Sequence, residues 1–347
     1  MANLSLPTIN DIQIAVLGAS SDLTTSSARI VYKSRPLSPA TKYTLGENSF
    51  AGSHWGLPRA IELDEGLIMP EHLALSYDPN NTHGRSLFFG QPYGDHQDVY
   101  IKSFDTTKHV WSKAIKMKAT DSGHVITAHK KSKFAATMNT REGKFLLYLV
   151  NEEGDLMEWV GAQTSAGYGW RSGGVVAKGV LPETYLGAIK KDSGSNVVFQ
   201  RVSGGLSVAY PDGDQWYLKK VPGSSRVPKG SPIAISGSGR EGTTVYFSDG
   251  RTILAQGIRG RTGALPTDPP VEIVGRHMPS SNIGVIYFPR GGVDDPTNNA
   301  HVVSVSVLDD QRVLVERIRR SRLWPEAGDV RWMVAGGVID INDSPFR

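Results

Sequence analysis

Apolar residues along the chain fall in short runs of about four to seven, each bounded by Gly, Asp, Asn or Ser, which is the rhythm of strands joined by turns. Six of these runs align: Ile14-Ala-Val-Leu-Gly, Leu73-Ala-Leu-Ser-Tyr, Phe134-Ala-Ala-Thr-Met, Leu186-Gly-Ala-Ile-Lys, Ile233-Ala-Ile-Ser-Gly and Ile283-Gly-Val-Ile-Tyr. Each opens on a large apolar residue followed by Ala15, Ala74, Ala135, Gly187, Ala234 or Gly284. A small residue at the second position of all six is what an innermost strand needs where six strands crowd round one axis. A helix gives no reason for it.

Apolar-proline pairs stand upstream of most copies, at Leu6-Pro7, Met69-Pro70, Leu181-Pro182, Val227-Pro228 and Met278-Pro279. Proline removes a ladder donor and favours a turn, so these pairs mark the joints between units. Downstream, second strands are expected at 29–33, 87–90, 145–150, 197–200, 245–247 and 302–307, and third strands at 42–45, 99–104, 156–160, 206–210, 253–257 and 313–318. Fourth strands are announced by Trp55, Trp111, Trp170, Trp216 and Trp332, with the fifth unit lacking one. Four short strands in each of six alike units predict an all-β, six-bladed β-propeller with four antiparallel strands per blade. The expected blades are 8–64, 69–118, 124–180, 182–223, 228–276 and 279–341 of one domain spanning 1–347. A β-sandwich competes, but it does not explain six alike units.

Composition narrows the chemistry. The chain has no cysteine, so disulfides, thiolate metal sites and cysteine nucleophiles are excluded. The formal charge is only +4, and the basic residues are dispersed except at Arg317, Arg319, Arg320 and Arg322, which read as a solvated strand end and not as a nucleic-acid groove. No bilayer-length stretch is free of charge, and Met1 to Asn10 has neither a basic start nor an apolar core. A cytoplasmic protein without membrane or nucleic-acid partners, monomeric or homodimeric, is therefore expected. Gly237 to Gly242 matches G-x-G-x-x-G, but it joins two expected strands and reads as a hairpin turn. His124 and His129 belong to no H-E-x-x-H motif, no G-x-S-x-G elbow occurs, and neither metal nor cofactor is expected.

The blade pattern resembles that of the fungal fucose-specific lectins, whose propellers repeat an inner strand like Ile-Ala-Ala-Ile, then Arg-Val-Tyr, then a strand carrying Glu, then Trp. The resemblance implies sugar pockets between neighbouring blades, where Arg from the second strand and Glu from the third bind hydroxyls and aromatic rings cover the apolar side. Arg29 fits the arginine position of blade one, but its expected third strand, Lys42 to Leu45, has no carboxylate. Arg85 lies near the position in blade two, whose Val99-Tyr100-Ile101 offers none. Blade three has Glu158 beside Trp159 with Leu146 in the arginine position, blade four Asn196 and Val208, blade five Thr244 and Ala255, and blade six His301 and Glu316. By this alignment no blade keeps the full set, so the scaffold is lectin-like with degenerate sugar sites.

Three functions follow. The leading expectation is a pericyclase similar to the hetero-Diels-Alderases of fungal tropolone sesquiterpenoid biosynthesis, orienting two hydrophobic natural-product reactants without a cofactor. Cycloaddition needs only proximity and a few hydrogen bonds, so missing catalytic motifs do not count against it. His72, Tyr93, His96, Tyr185 and Lys190 are its candidate donors, and Tyr77, Met138 and Tyr287, expected with Lys190 in or just below the central channel, and Trp170, a fourth-strand anchor, are candidate substrate-binding residues. The alternative is a lectin for fucosylated glycans, binding through Arg29, Arg85, Glu158 and Trp170. A third is a protein-interaction platform, hinted at only by the stretch from Arg317 to Arg322.

Overall fold

The structure, a computed structural model, describes residues 14–16, 27–34, 44–51, 54–55, 59–68, 70, 72–77, 85–139, 143–164, 167–191, 194–238, 242–259, 269–274, 283–288, 299–308, 311–320 and 332–334. In blades one and six, and at several strand ends elsewhere, this is largely the backbone path. The joints at Leu6-Pro7 and Met278-Pro279, and residues 35–41 between the expected second and third strands of blade one, lie outside the described residues.

Six antiparallel sheets follow one another along the chain. Blade three shows the plan: Ala135–Asn139, Lys144–Val150, Leu156–Thr164 and Gly167–Ala177 pair in that order. Blades four, five and six repeat it from Gly187–Lys191, Ile233–Ser238 and Gly284–Phe288. In blade one the outer strand is divided between His54–Trp55 and Arg59–Glu62, both on Thr44–Ala51. In blade two three short segments, Val110–Trp111, Ile115–Lys116 and Thr127–His129, pair with His96–Asp105. The innermost strands touch in cyclic order, the first meeting the second and the sixth also meeting the first. That closure makes the sheets a propeller.

The small second residue of each inner strand has a consistent place in the ladder. Ala15, Ala74, Ala135, Gly187, Ala234 and Gly284 pair with Val31, Phe88, Tyr148, Val198, Tyr246 and Val303. Between blades the sheets pack face to face through alternating apolar residues, as with Ala74, Phe88 and Ile101 of blade two against Phe145, Leu147 and Leu149 of blade three. Burial of such a side chain stabilises by about 1.5–3 kcal/mol, so the inter-blade layers hold the ring.

Joints are tied by polar side chains. Gln200 Nε2 donates to Val227 O and Pro228 O at 3.1 and 3.0 Å, while Gln91 accepts from Ile68 N and donates to Ile68 O at 2.9 and 2.8 Å. Asp64, in the joint after blade one, accepts from Lys102 Nζ at 3.1 Å and from Ala114 N at 2.6 Å. Burial pushes the Asp64 carboxyl up, but the Ala114 amide and the Lys102 ammonium outweigh it and hold it below its ordinary value.

Two sequence expectations are corrected. The third strand of blade one is Thr44–Ala51, not 42–45. In blade two the expected strands at 87–90 and 99–104 extend to Arg85–Tyr93 and His96–Asp105, so that a two-residue turn, Gly94-Asp95, joins them and Tyr93 pairs with His96. Gly94 has φ 61°, the left-handed geometry such hairpin turns require.

Candidate functional site

Ladder registers place equivalent positions of the blades without reference to sequence spacing. Opposite the six partners of the small residues stand, on the third strands, Glu47, Ile101, Glu158, Val208, Ala255 and Glu316. Two residues earlier on the second strands stand Arg29, Ser86, Leu146, Asn196, Thr244 and His301. Three residues beyond the carboxylate position, the third strand meets Trp55, Trp111, Trp170, Trp216 or Trp332 in every blade but the fifth. Blade one therefore carries an arginine and a glutamate in frame. Its carboxylate was missed because the third strand was placed too early, and the fixed register offset from Glu to Trp was the signal that could have found it.

Side chains two apart on a strand share a face, so the carboxylate position looks toward the following blade and the tryptophan toward the preceding one. The cleft between blades one and two accordingly brings together Glu47, Phe104 and Trp111, with Arg29 at the register position beside them. Arg85 fills it. Its Nη1 lies 2.9 Å from Glu47 Oε1, with only 4% and 2% of the two side chains exposed, and its guanidinium carbon is 3.5 Å above the Phe104 ring and 5.6 Å from the Trp111 ring. A carboxylate and an aromatic face are the groups a monosaccharide would use, and here they hold a side chain of the neighbouring blade. Arg85 does this because it stands one residue before the arginine position, held by Ser86, and so points to the opposite face. Ser86 Oγ lies 3.3 Å from Ser103 Oγ on the other side.

Between blades three and four the same positions are arranged differently. Glu158 is partly exposed, and its Oε1 accepts the Tyr148 hydroxyl at 2.7 Å. Trp216 of blade four stands edge-on to Tyr148, with ring centroids 6.4 Å apart. Leu146 occupies the arginine position, but Lys190, at the end of the blade-four inner strand, acts electrostatically on Glu158. Burial raises the Glu158 carboxyl above its ordinary value, and the Tyr148 bond and the Lys190 charge offset only part of that. Tyr148, fully buried, is pushed well above its ordinary range by burial and by the Glu158 charge. A Cβ at Gly173 would collide with Glu158 Oε2, so the bare glycine leaves the carboxylate its place. The result is a carboxylate, a cation and an indole around one partly open cleft.

The other described clefts are closed by packing or by internal hydrogen bonds. Trp170 is 2% exposed and lies edge-on to Phe88 at 5.7 Å, and Met138, 5% exposed, belongs to the same cluster. Neither faces a ligand-sized opening. Between blades four and five Asn196 Nδ2 donates to Thr243 Oγ1 at 3.0 Å. Glu316, His301 and Trp55 share the register between blades six and one, but their side chains, like those of Arg29, Tyr77 and Tyr287, lie outside the described residues.

The candidate donors divide among three places. His72 and Tyr185, just ahead of the inner strands of blades two and four, meet edge to face at 5.5 Å, and Lys133, just ahead of that of blade three, puts its Nζ 3.1 Å from the Tyr185 ring centroid. Tyr93 and His96 pair at the hairpin tip of blade two, 5.5 Å apart. Lys190 stands five residues after Tyr185 along the strand direction, about 16 Å away at strand rise, and belongs to the Glu158 cleft. Among the described residues no three His, Asp or Glu side chains cluster as metal ligands, and no helix is long and apolar enough to cross a membrane.

No family model and no curated sequence matches the chain. Solved structures do. AofleA from Arthrobotrys oligospora is similar at a TM-score of 0.67 and 16% identity over 94% of this chain and 87% of that one. The SapL1 lectin in complex with α-methyl fucoside gives 0.63 and 16% over 94% and 96%. The fungal lectin of Aleuria aurantia, described as a six-bladed β-propeller with a novel fucose recognition mode, gives 0.60 and 16% over 94% and 97%. Likeness at this identity shows the fold, a six-bladed propeller of the fungal lectin kind.

Proposed function

We propose that the chain is a carbohydrate-binding propeller that takes a fucose-type monosaccharide in the cleft between blades three and four. The observation that carries this reading is the Glu158 carboxylate, oriented by Tyr148 and partly open, with Lys190 and Trp216 around it. Glu158 accepts from sugar hydroxyls, Lys190 donates to them, and Trp216 covers the apolar face of the ring. The solved fucose lectins of the same fold support the ligand class. Titration calorimetry with α-methyl fucoside tests it: millimolar or tighter binding that weakens in Glu158→Gln and Trp216→Ala is expected, and an absence of heat with every fucoside overturns it.

A second reading, a cofactor-free hetero-Diels-Alder pericyclase, is favoured by a different observation. Of the six blades only the first has Arg and Glu in frame, and its cleft is filled by Arg85, while His72, Lys133 and Tyr185 of three blades converge ahead of the inner strands. There the histidine and the tyrosine would polarise the heteroatom of the diene, and the propeller would hold the two reactants in line. Loss of stereoselectivity of a supplied quinone methide and alkene in Tyr185→Phe and His72→Ala tests it; product ratios equal to the uncatalysed ones in the unaltered protein overturn it.

A further inference from the structure

Tyr93, at the hairpin tip of blade two, has 66% of its surface in solvent, more than any other large apolar side chain among the described residues. A single exposed ring is ordinary. This one has an organised polar surround. Lys116 Nζ stands 6.0 Å from the Tyr93 ring centroid and 5.8 Å from that of Tyr100, which is itself fixed by stacking on Phe89 at 5.8 Å. Asp98, 7% exposed, receives Lys116 Nζ at 2.8 Å on one oxygen and faces His96 Nε2 at 3.5 Å on the other. Glu152, from the turn of blade three, lies 3.9 Å from His96 Nδ1 and accepts Thr127 Oγ1 at 3.2 Å.

The buried Asp98 thus orients an ammonium and an imidazole that are still 38% and 26% exposed. An ammonium has three donors, so Lys116 keeps one for a ligand after serving Asp98 and Tyr100, and Glu152, half exposed, keeps acceptor capacity. An exposed ring, a pre-set donor and a pre-set acceptor within one ring's reach suit a polyhydroxylated pyranose, whose one face is C–H and whose rim is O–H. A larger apolar ligand would strip water from these charged groups and give nothing in exchange.

We propose that this hairpin tip is a second carbohydrate site, in which a hexopyranoside lies on Tyr93 and shares its hydroxyls with Lys116 and Glu152. It has no residue in common with the Glu158 cleft, and the two stand or fall separately. Saturation-transfer NMR and calorimetry with β-methyl galactoside test it on the full chain. Binding in the millimolar range is expected, weakened about tenfold or more in Tyr93→Ala, retained in Tyr93→Phe and unchanged in Trp216→Ala. No transfer to the unaltered protein overturns the proposal, as does binding that survives Tyr93→Ala. Loss in Trp216→Ala alone assigns the glycoside to the other cleft and also overturns it. Tyr93 is exposed, so the variants keep the fold, and an unchanged Tm confirms that the readout is binding.

Discussion

The clefts between blades one and two and between blades three and four begin from the same register positions and end as opposites. In the first, Glu47 is 2% exposed and neutralised at 2.9 Å by Arg85, whose guanidinium also covers the Phe104 ring. In the second, Glu158 is partly open and held by a tyrosine hydroxyl, and its cation comes from the end of an inner strand. One is a structural ion pair and the other a poised acceptor. What separates them is one position on the second strand of the following blade, Arg85 in blade two and Ser195 in blade four.

Breaking the pair in the first cleft carries the largest expected effect. Arg85→Ala takes the guanidinium at 2.9 Å away from the buried Glu47 carboxylate and should cost about 3–5 kcal/mol in urea unfolding, whereas Arg85→Met with Glu47→Leu should come close to the original stability. A double variant as unstable as the single one would show that Arg85 acts through contacts other than the pair.

The second cleft should respond in binding instead. Glu158→Gln removes a charge-assisted bond of about 1.5–3 kcal/mol, so affinity for α-methyl fucoside should fall roughly tenfold to a hundredfold while the unfolding midpoint stays within about 0.5 kcal/mol. Gly173→Ala should weaken the same titration by displacing the carboxylate. A Glu158→Gln variant as destabilised as Arg85→Ala would erase the distinction between the clefts.

Smaller and graded effects are expected with pH. Glu158 has a raised carboxyl, so its contribution favours folding at acid pH and is lost as pH rises through its folded value, while sugar binding, which needs the carboxylate, runs the other way and fades as pH falls through that value. Asp64 has the opposite sign. Its lowered carboxyl contributes stability above the ordinary value of 3.8 that is lost as pH falls further. Fucoside titrations and thermal melts between pH 3 and 7 should therefore diverge, and Asp64→Asn should flatten only the melts.

Much of the architecture was legible along the chain because it rests on short-range pattern. The small residue after each inner-strand start, the prolines at the joints and the five tryptophans are demanded by crowding at the axis and by ladder chemistry, and they recur at recognisable places. The site was less legible. Glu158 and Glu316 were found because their blades have short, regular second hairpins, and Glu47 was lost in blade one, where residues 35–43 separate the strands. Lys133 beside Tyr185 and Lys190 as the cation of the Glu158 cleft come from residues far apart in sequence, and spacing holds no trace of them.

The sequence by itself determined six repeats of four strands, their closure round an axis and the carboxylate, arginine and tryptophan residues available to them. Only the tertiary structure decided which of these meet. A strand's side chains alternate between its two faces, so a shift of one residue sends a group from one inter-blade cleft to the other. That is why Arg85, adjacent to the arginine position in sequence, is the internal partner of Glu47 in space.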